Sequence, residues 1–403
     1  MKSGLSVLVV AGLLAFASGC SGGRSDGGSS TGGKQYVYTS TNFFGSSITS
    51  YMAATSSLGN VAPDYTKAVE IQGDALVAAA DDLNGTVYLV TDVSPQIAKY
   101  TVAVDGTFTA GPVLDLSEKG YSGMKGHRGF IQFISPTKAY LIDVETLQII
   151  VWDPSQMAYV KTVSMSNLMV SNESPEMNFE PRFRGTELVF TVHYSSGSVH
   201  TAVQGEKFVF VDTTTDTLQV IDYASCGGLR ESAVASNGDI YFGVGASISA
   251  ENSLGVAGSA TPCIVRIKAG AHEIDPTFTQ KPSDLTGLAI SGNLFKGPND
   301  TFFTMGFDPS LYTGTTPPTS DDYFYAPAWK FFKATLGSSS AATLVAGMPA
   351  SVAAIFPLEV DGVSYLTTTP GDFSTSTLWD TSTDPPTKGL VFKDLFGNAV
   401  RVR

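Results

Sequence analysis

Positive charge is scarce in this sequence. It has 24 Lys and Arg against 37 Asp and Glu, a net charge of −13, and only 15% of its residues are charged. A nucleic-acid partner needs a basic face to meet its phosphates, so that class is excluded. Histidine and cysteine are rarer still, at four and three. The sequence holds no C-x-x-C pair, no H-E-x-x-H and no EF-hand loop, so spacing alone identifies no metal site and no cofactor is expected. His127, His193, His200 and His272 stand at no spacing from a Ser that marks a catalytic triad. The G-x-S-x-G string at Gly23 to Gly27 has neither the strand before it nor the helix after it that the motif requires. The acid pairs Asp81-Asp82 and Asp321-Asp322 read as solvated loop residues.

Long apolar runs are also missing after the first twenty residues. The run Leu5 to Phe16 follows a cationic Lys2 and ends in Ala17-Ser18-Gly19-Cys20. It is too short to span a bilayer and reads as a cleaved export signal. Its end resembles the bacterial lipobox, which implies a lipid on Cys20 and a membrane anchor; ordinary secretion with a leftover Cys is the other reading. Ser21 to Lys34 is dominated by Gly and Ser and reads as a flexible tether. The expected organisation is a signal at 1–19, a tether at 20–34 and one domain at 35–403. Export to an oxidising compartment permits a Cys226–Cys263 disulfide, with two separate buried thiols as the alternative.

What is abundant is β-sheet material. The chain contains 41 Gly and 11% aromatic residues, and after Lys34 it shows short strand-like runs and no convincing amphipathic helix. One cassette recurs: an apolar strand, a tight polar turn, a second aromatic or aliphatic strand, then one or two more. It is clearest at GFIQFIS-PTK-AYLID-VET-LQIIVWD and recurs at ELVFTVHY with KFVFVDTTTDTLQVIDY. The second strand of each cassette starts near Tyr36, Thr86, Lys138, Thr186, Asp239, Thr301 and Gly362. A unit of four strands and about 50 residues is a propeller blade. Seven such units predict an all-β, seven-bladed β-propeller. The first blade begins with its second strand, YVYTST, so the C-terminal NAVRVR is expected to supply its innermost strand and close the ring. A pair of β-sandwiches is the other architecture that such strands can build. Asn84-Gly85 and Asn237-Gly238 are hairpin turns, and the neighbouring Asp residues are turn formers.

The loops that enter the innermost strands of a propeller converge on one mouth of its central channel. Arg128, beside His127, precedes its strand pair at nearly the same offset as Arg230 precedes its own, and Arg182 and Arg184 lie near the innermost strand of the blade between them. Arg suits an anionic or aromatic ligand through fixed donors and a stacking face. The competing reading pairs these arginines with Glu180, Glu231 and other acids, and leaves Lys125 and Arg184 solvated. Tyr121, Phe179, Tyr194, Phe307, Tyr312, Tyr325 and Trp329 fall in or near loops, while Trp152 and Trp379 sit within strands and read as core. The segment Asp308 to Ala328 is long, Pro-rich and aromatic, as recognition insertions often are. The candidate ligand residues are His127, Arg128, Arg182, Arg230, Tyr325 and Trp329; no catalytic residue is proposed.

The string FVFVDTTTDTLQVID resembles the repeat of YVTN-type seven-bladed propellers. SPTKAYLIDVETLQIIVWDPSQM, behind a lipobox and a Gly/Ser tether, is similar to propeller lipoproteins of bacterial siderophore systems. These are the myxochelin-cluster type and the xenosiderophore-capture type of Bacteroidetes. The resemblance implies capture of a ferric catecholate siderophore at the propeller mouth and its delivery to a TonB-dependent outer-membrane receptor, with iron present only as part of that ligand. Whether the protein is an enzyme stays open at this point, with binding the favoured reading. A propeller hydrolase or lactonase with a metal in its channel and a protein–protein scaffold are the alternatives.

Overall fold

The computed structural model describes residues 33–43, 47–124, 131–196, 201–314 and 319–403. They form a seven-bladed β-propeller, each blade a four-stranded antiparallel sheet apart from the fourth, which carries six strands. The second strands begin at Tyr36, Thr86, Lys138, Glu187, Ile240, Thr301 and Val363, within one residue of each start expected from the repeat. The blade order follows from burial. A second strand packs between two neighbouring blades, so both of its faces must be apolar: in Lys138–Asp143, Ala139, Tyr140 and Leu141 are all fully buried. An outermost strand meets solvent, and Phe108–Asp115 is exposed along most of its length.

Closure follows the expected route. The C-terminal strand Leu395–Arg401 pairs antiparallel with Tyr36–Asn42, from Tyr36 opposite Arg401 to Thr41 opposite Leu395, and is the innermost strand of the first blade. Gly397 permits the approach, because a Cβ there would stand 2.1 Å from the Thr39 hydroxyl and 3.0 Å from its carbonyl oxygen. Joining both chain ends in one sheet leaves no open blade edge at the seam.

Two departures from the expected fold matter for the site. In the fourth blade the innermost strand is split into Ser174–Met177 and Arg182–Arg184, both paired with Glu187–Ser196. The chain between them, Asn178 to Pro181, bulges into the channel, held by Asn178 Oδ1, which accepts the Thr191 amide at 2.8 Å. The second departure is helix. Ala246–Ser253 follows the second strand of the fifth blade, and Ser320–Tyr325 lies in the long insertion of the sixth. Ala246–Ser253 has no amphipathic period to read, since Ala246, Ile248, Ser249, Ala250 and Glu251 are all buried. Ser320–Tyr325 is set by a capping box between Thr319 and Asp322 rather than by periodicity. Cys226 and Cys263 are joined in a disulfide, with their Cα atoms 6.1 Å apart.

Candidate functional site

All innermost strands run from one mouth of the channel to the other. At their starting ends lies a cavity of about 570 Å³, a cup built from five blades. Phe179 comes from the bulge of the fourth blade, and Arg230 and Glu231 from the innermost strand of the fifth. The sixth supplies Asn293 and the insertion residues Phe324 and Tyr325. Ala353 to Phe356 and Phe373 come from the seventh, and Phe43 and Leu395 from the first. Its walls are mainly apolar, and six of the lining residues are aromatic. Phe324 and Tyr325 meet edge to face at 5.0 Å between ring centroids, and Tyr325 meets Phe373 at 5.7 Å. Phe179 and Phe356 meet at 5.8 Å between the fourth and seventh blades, narrowing the channel beneath the cup.

Three residues further along both chains, Arg182 reaches Glu359 at 2.9 Å. Arg182 also bonds Glu180, and its Nε donates to the Ser232 hydroxyl at 3.0 Å, while Lys296 adds a second cation to Glu359 at 3.1 Å. Burial raises the pKa of Glu180 despite Arg182 beside it. Burial acts in the same sense on Glu359, but Arg182 and Lys296 outweigh it and hold that carboxyl below its ordinary value. Arg182 therefore ties blades together under the cup and does not line it. Arg184 bonds Glu187 and donates to the Ala271 carbonyl at 2.7 Å, still further from the mouth.

Arg230 is placed differently. The Phe179 amide donates to the Arg230 carbonyl at 2.6 Å, and the guanidinium lies 5.7 Å from the centre of the Phe179 ring. Its Nη2 donates to Glu176 at 2.7 Å. The acid pairing foreseen for the arginines is present, with Glu176 as the partner, and Arg230 also lines the cup. Its sequence neighbour Glu231 is only 2% exposed and also lines the cup, with Oε2 lacking a hydrogen-bond partner. Burial drives its pKa well above the usual carboxylate range, against the opposing charge of Arg230. Burial thus favours the protonated form of this carboxyl.

Of the other sequence candidates, Tyr325 lines the cup. Trp329 does not: it opens the strand Trp329–Thr335, is fully buried against Phe307, and donates its indole N–H to the Tyr323 carbonyl at 2.8 Å. A wholly apolar pocket and a satisfied indole N–H explain why it belongs to the core. Tyr121, Tyr194 and Phe307 are also buried, and the Tyr194 hydroxyl donates to the Leu168 carbonyl. Cys20, Lys125, His127, Arg128 and His200 lie outside the described residues. Among the described residues no cluster of three or more His, Cys, Asp or Glu is arranged to hold a metal ion. Sequence reading missed Phe43, Phe356, Phe373 and the Gly245–Ser247 turn. None of these carries a local signal beyond being a loop residue.

Neither a family model nor a curated protein sequence matches this chain. Solved structures do resemble it in fold. A 6-phosphogluconolactonase-type protein from Bacteroides fragilis, described as putative in its own right, is 11% identical, with a TM-score of 0.54 over 94% of this chain and 100% of that one. The periplasmic gluconolactonase of Pseudomonas aeruginosa is 10% identical, with a TM-score of 0.54 over 92% of this chain and 99% of that one. Likeness at such identities establishes the propeller and nothing of the chemistry in its mouth.

Proposed function

We propose that this protein is a small-molecule-binding propeller whose ligand sits in the mouth cup. One observation carries the reading: a cavity of about 570 Å³ has predominantly apolar walls, with six aromatic side chains among them, and a few convergent polar groups, Arg230, Glu231 and Asn293, at its base. Aromatic walls hold a flat or compact apolar body, and the polar base orients it. The more specific form implied by the sequence resemblance is capture of a ferric catecholate by a lipoprotein anchored at Cys20, for delivery to a TonB-dependent outer-membrane receptor. The aromatic walls and Arg230 support the aromatic and anionic parts of that form. Among the described residues Arg230 is the one cationic side chain lining the cup.

Trp329 packs in the same core cluster as the cup-lining Ala353 and Ile355, so its emission should report occupancy. Saturable quenching by a ferric catecholate or by simple aromatic ligands at micromolar concentration supports the reading. A flat response to every ligand in the series, confirmed by calorimetry, overturns it.

A second reading is favoured by Glu231 itself. A buried carboxyl whose pKa is raised is what a general acid requires, and it would suit opening of a lactone or ester bound in the same cup. Glu231→Gln separates the two readings: it abolishes turnover if the acid is catalytic and leaves binding intact.

A further inference from the structure

Hydrogen-bonding groups gather at the base of the cup in a protein with a net charge of −13. Three groups converge there. Arg230 is committed to Glu176 through Nη2, but its Nε has no partner. The helix Ala246–Ser253 starts at the cup wall with Gly245 as its N-cap, which provides no side-chain cap. The Ala246 amide is taken by Asn293 Oδ1 at 2.8 Å. The Ser247 amide, next in the first turn, has no carbonyl one turn back to bond. A Cβ at Gly245 would stand 2.8 Å from Arg230 Cδ, so the arginine stem lies against the start of the helix. The third group is Glu231, 2% exposed, lining the same cup with one carboxyl oxygen unpartnered.

These groups are donors. A guanidinium N–H and a first-turn amide both point to negative charge, and the positive end of the helix dipole adds to them. At Glu231 burial favours the protonated carboxyl, whose O–H would be a third donor. A cationic ligand would be set against the Arg230 guanidinium, and a polyanion would leave charges unpaired against apolar walls.

Resting on the cup as the ligand site, we propose that its ligand is a monocarboxylic acid with an aromatic body, its carboxylate seated on Arg230, the Ser247 amide and Glu231, and its ring held among Phe179, Phe356 and Tyr325. The proposal fixes the chemical class that the aromatic walls leave open: one negative charge at one end of a compact apolar body.

Calorimetric titration of the full chain with phenylacetate and indole-3-acetate, against the neutral phenylacetamide, the cation phenethylamine and a ferric tris-catecholate, tests it. The acids are expected to bind about tenfold tighter than the amide, the yield of one charge-assisted hydrogen bond. Arg230→Lys keeps the charge beside Glu176 and removes the Nε donor; it should weaken the acids about fivefold or more and leave the amide unchanged. Glu231→Ala removes the third partner and should also weaken the acids about fivefold; acid affinity unchanged in both variants overturns the carboxylate seat. Equal binding of acid and amide overturns the charge recognition while the cup remains a ligand site. Tighter binding of the amine, or of the ferric complex, overturns it in favour of that chemistry. Failure of every probe, neutral ones included, overturns the reading of the cup and this inference with it.

Discussion

His193 lies between two carboxylates, its Nε2 3.6 Å from Glu176 and its Nδ1 3.7 Å from Glu206, with none of its ring exposed. Burial alone would strip the imidazole of its proton, but the two acids outweigh it and raise the pKa to about 9. Glu206 also accepts the Leu229 amide at 3.2 Å and Glu176 accepts from Arg230. A chain of alternating charge thus runs from the core of the fourth blade to the cup.

The sign of the resulting pH dependence follows from the raised value. An unfolded His titrates near pH 6.5, so the stabilisation is complete below about that pH and is lost as pH rises to about 9. Chemical denaturation should show stability falling between neutral pH and pH ~9.5. His193→Gln should be less stable at neutral pH and should flatten that slope. A wild-type slope unchanged in the variant would remove His193 from the account.

Arg182 and Arg230 should separate in mutagenesis. Arg182→Ala strands the half-buried Glu180 and weakens the tie to Glu359, and is expected to cost on the order of 1–3 kcal/mol of stability while leaving ligand affinity within a factor of about two. Thermal melts and calorimetry on the same preparation check both halves. A large affinity loss with little destabilisation would place Arg182 at the ligand.

How much of this was legible in the sequence depends on the element. The second strands were readable because they are apolar on both faces and bounded by polar turns, as in KAYLID between PTK and VET. Closure was readable because YVYTST opens the chain without a strand before it. The arginines were readable as a class but not one by one. Arg182 and Arg230 look alike in the sequence, yet the bulge of Asn178 to Pro181 puts Phe179 in the mouth and carries Arg182 below it. Tyr325 and Trp329 sit four residues apart in one aromatic insertion, but the Thr319–Asp322 capping box turns the chain so that one lines the cup and the other enters the core. Phe43, Phe356 and Phe373 become neighbours only when the ring closes, a relationship that no local pattern encodes.

The disulfide should matter to stability more than to binding. It closes a segment of 37 residues between the start of the fifth blade and its third strand. Replacing both cysteines with Ala is expected to cost about 2–4 kcal/mol, read as a lower midpoint in denaturant with cup affinity retained. No change in midpoint would contradict this.

Removal of Leu395 to Arg403 should abolish the cooperative transition, because it strips the innermost strand from the first blade and exposes the Tyr36–Asn42 edge. Adding the missing segment back as a synthetic peptide should restore part of the lost protection in hydrogen exchange. A truncated chain that still melts cooperatively at the wild-type temperature would argue against closure by this strand.

The most direct measurement is calorimetric titration of wild type and Ala354→Trp with an aromatic ligand such as indole-3-acetate. Ala354 lines the cup, and a Trp side chain there fills the space a ligand would take. Saturable one-to-one binding to wild type and a loss of about tenfold or more in the variant, with the same melting temperature, is the predicted result. Equal affinity in the two proteins would show that the ligand binds elsewhere and that the mouth cup is not the site.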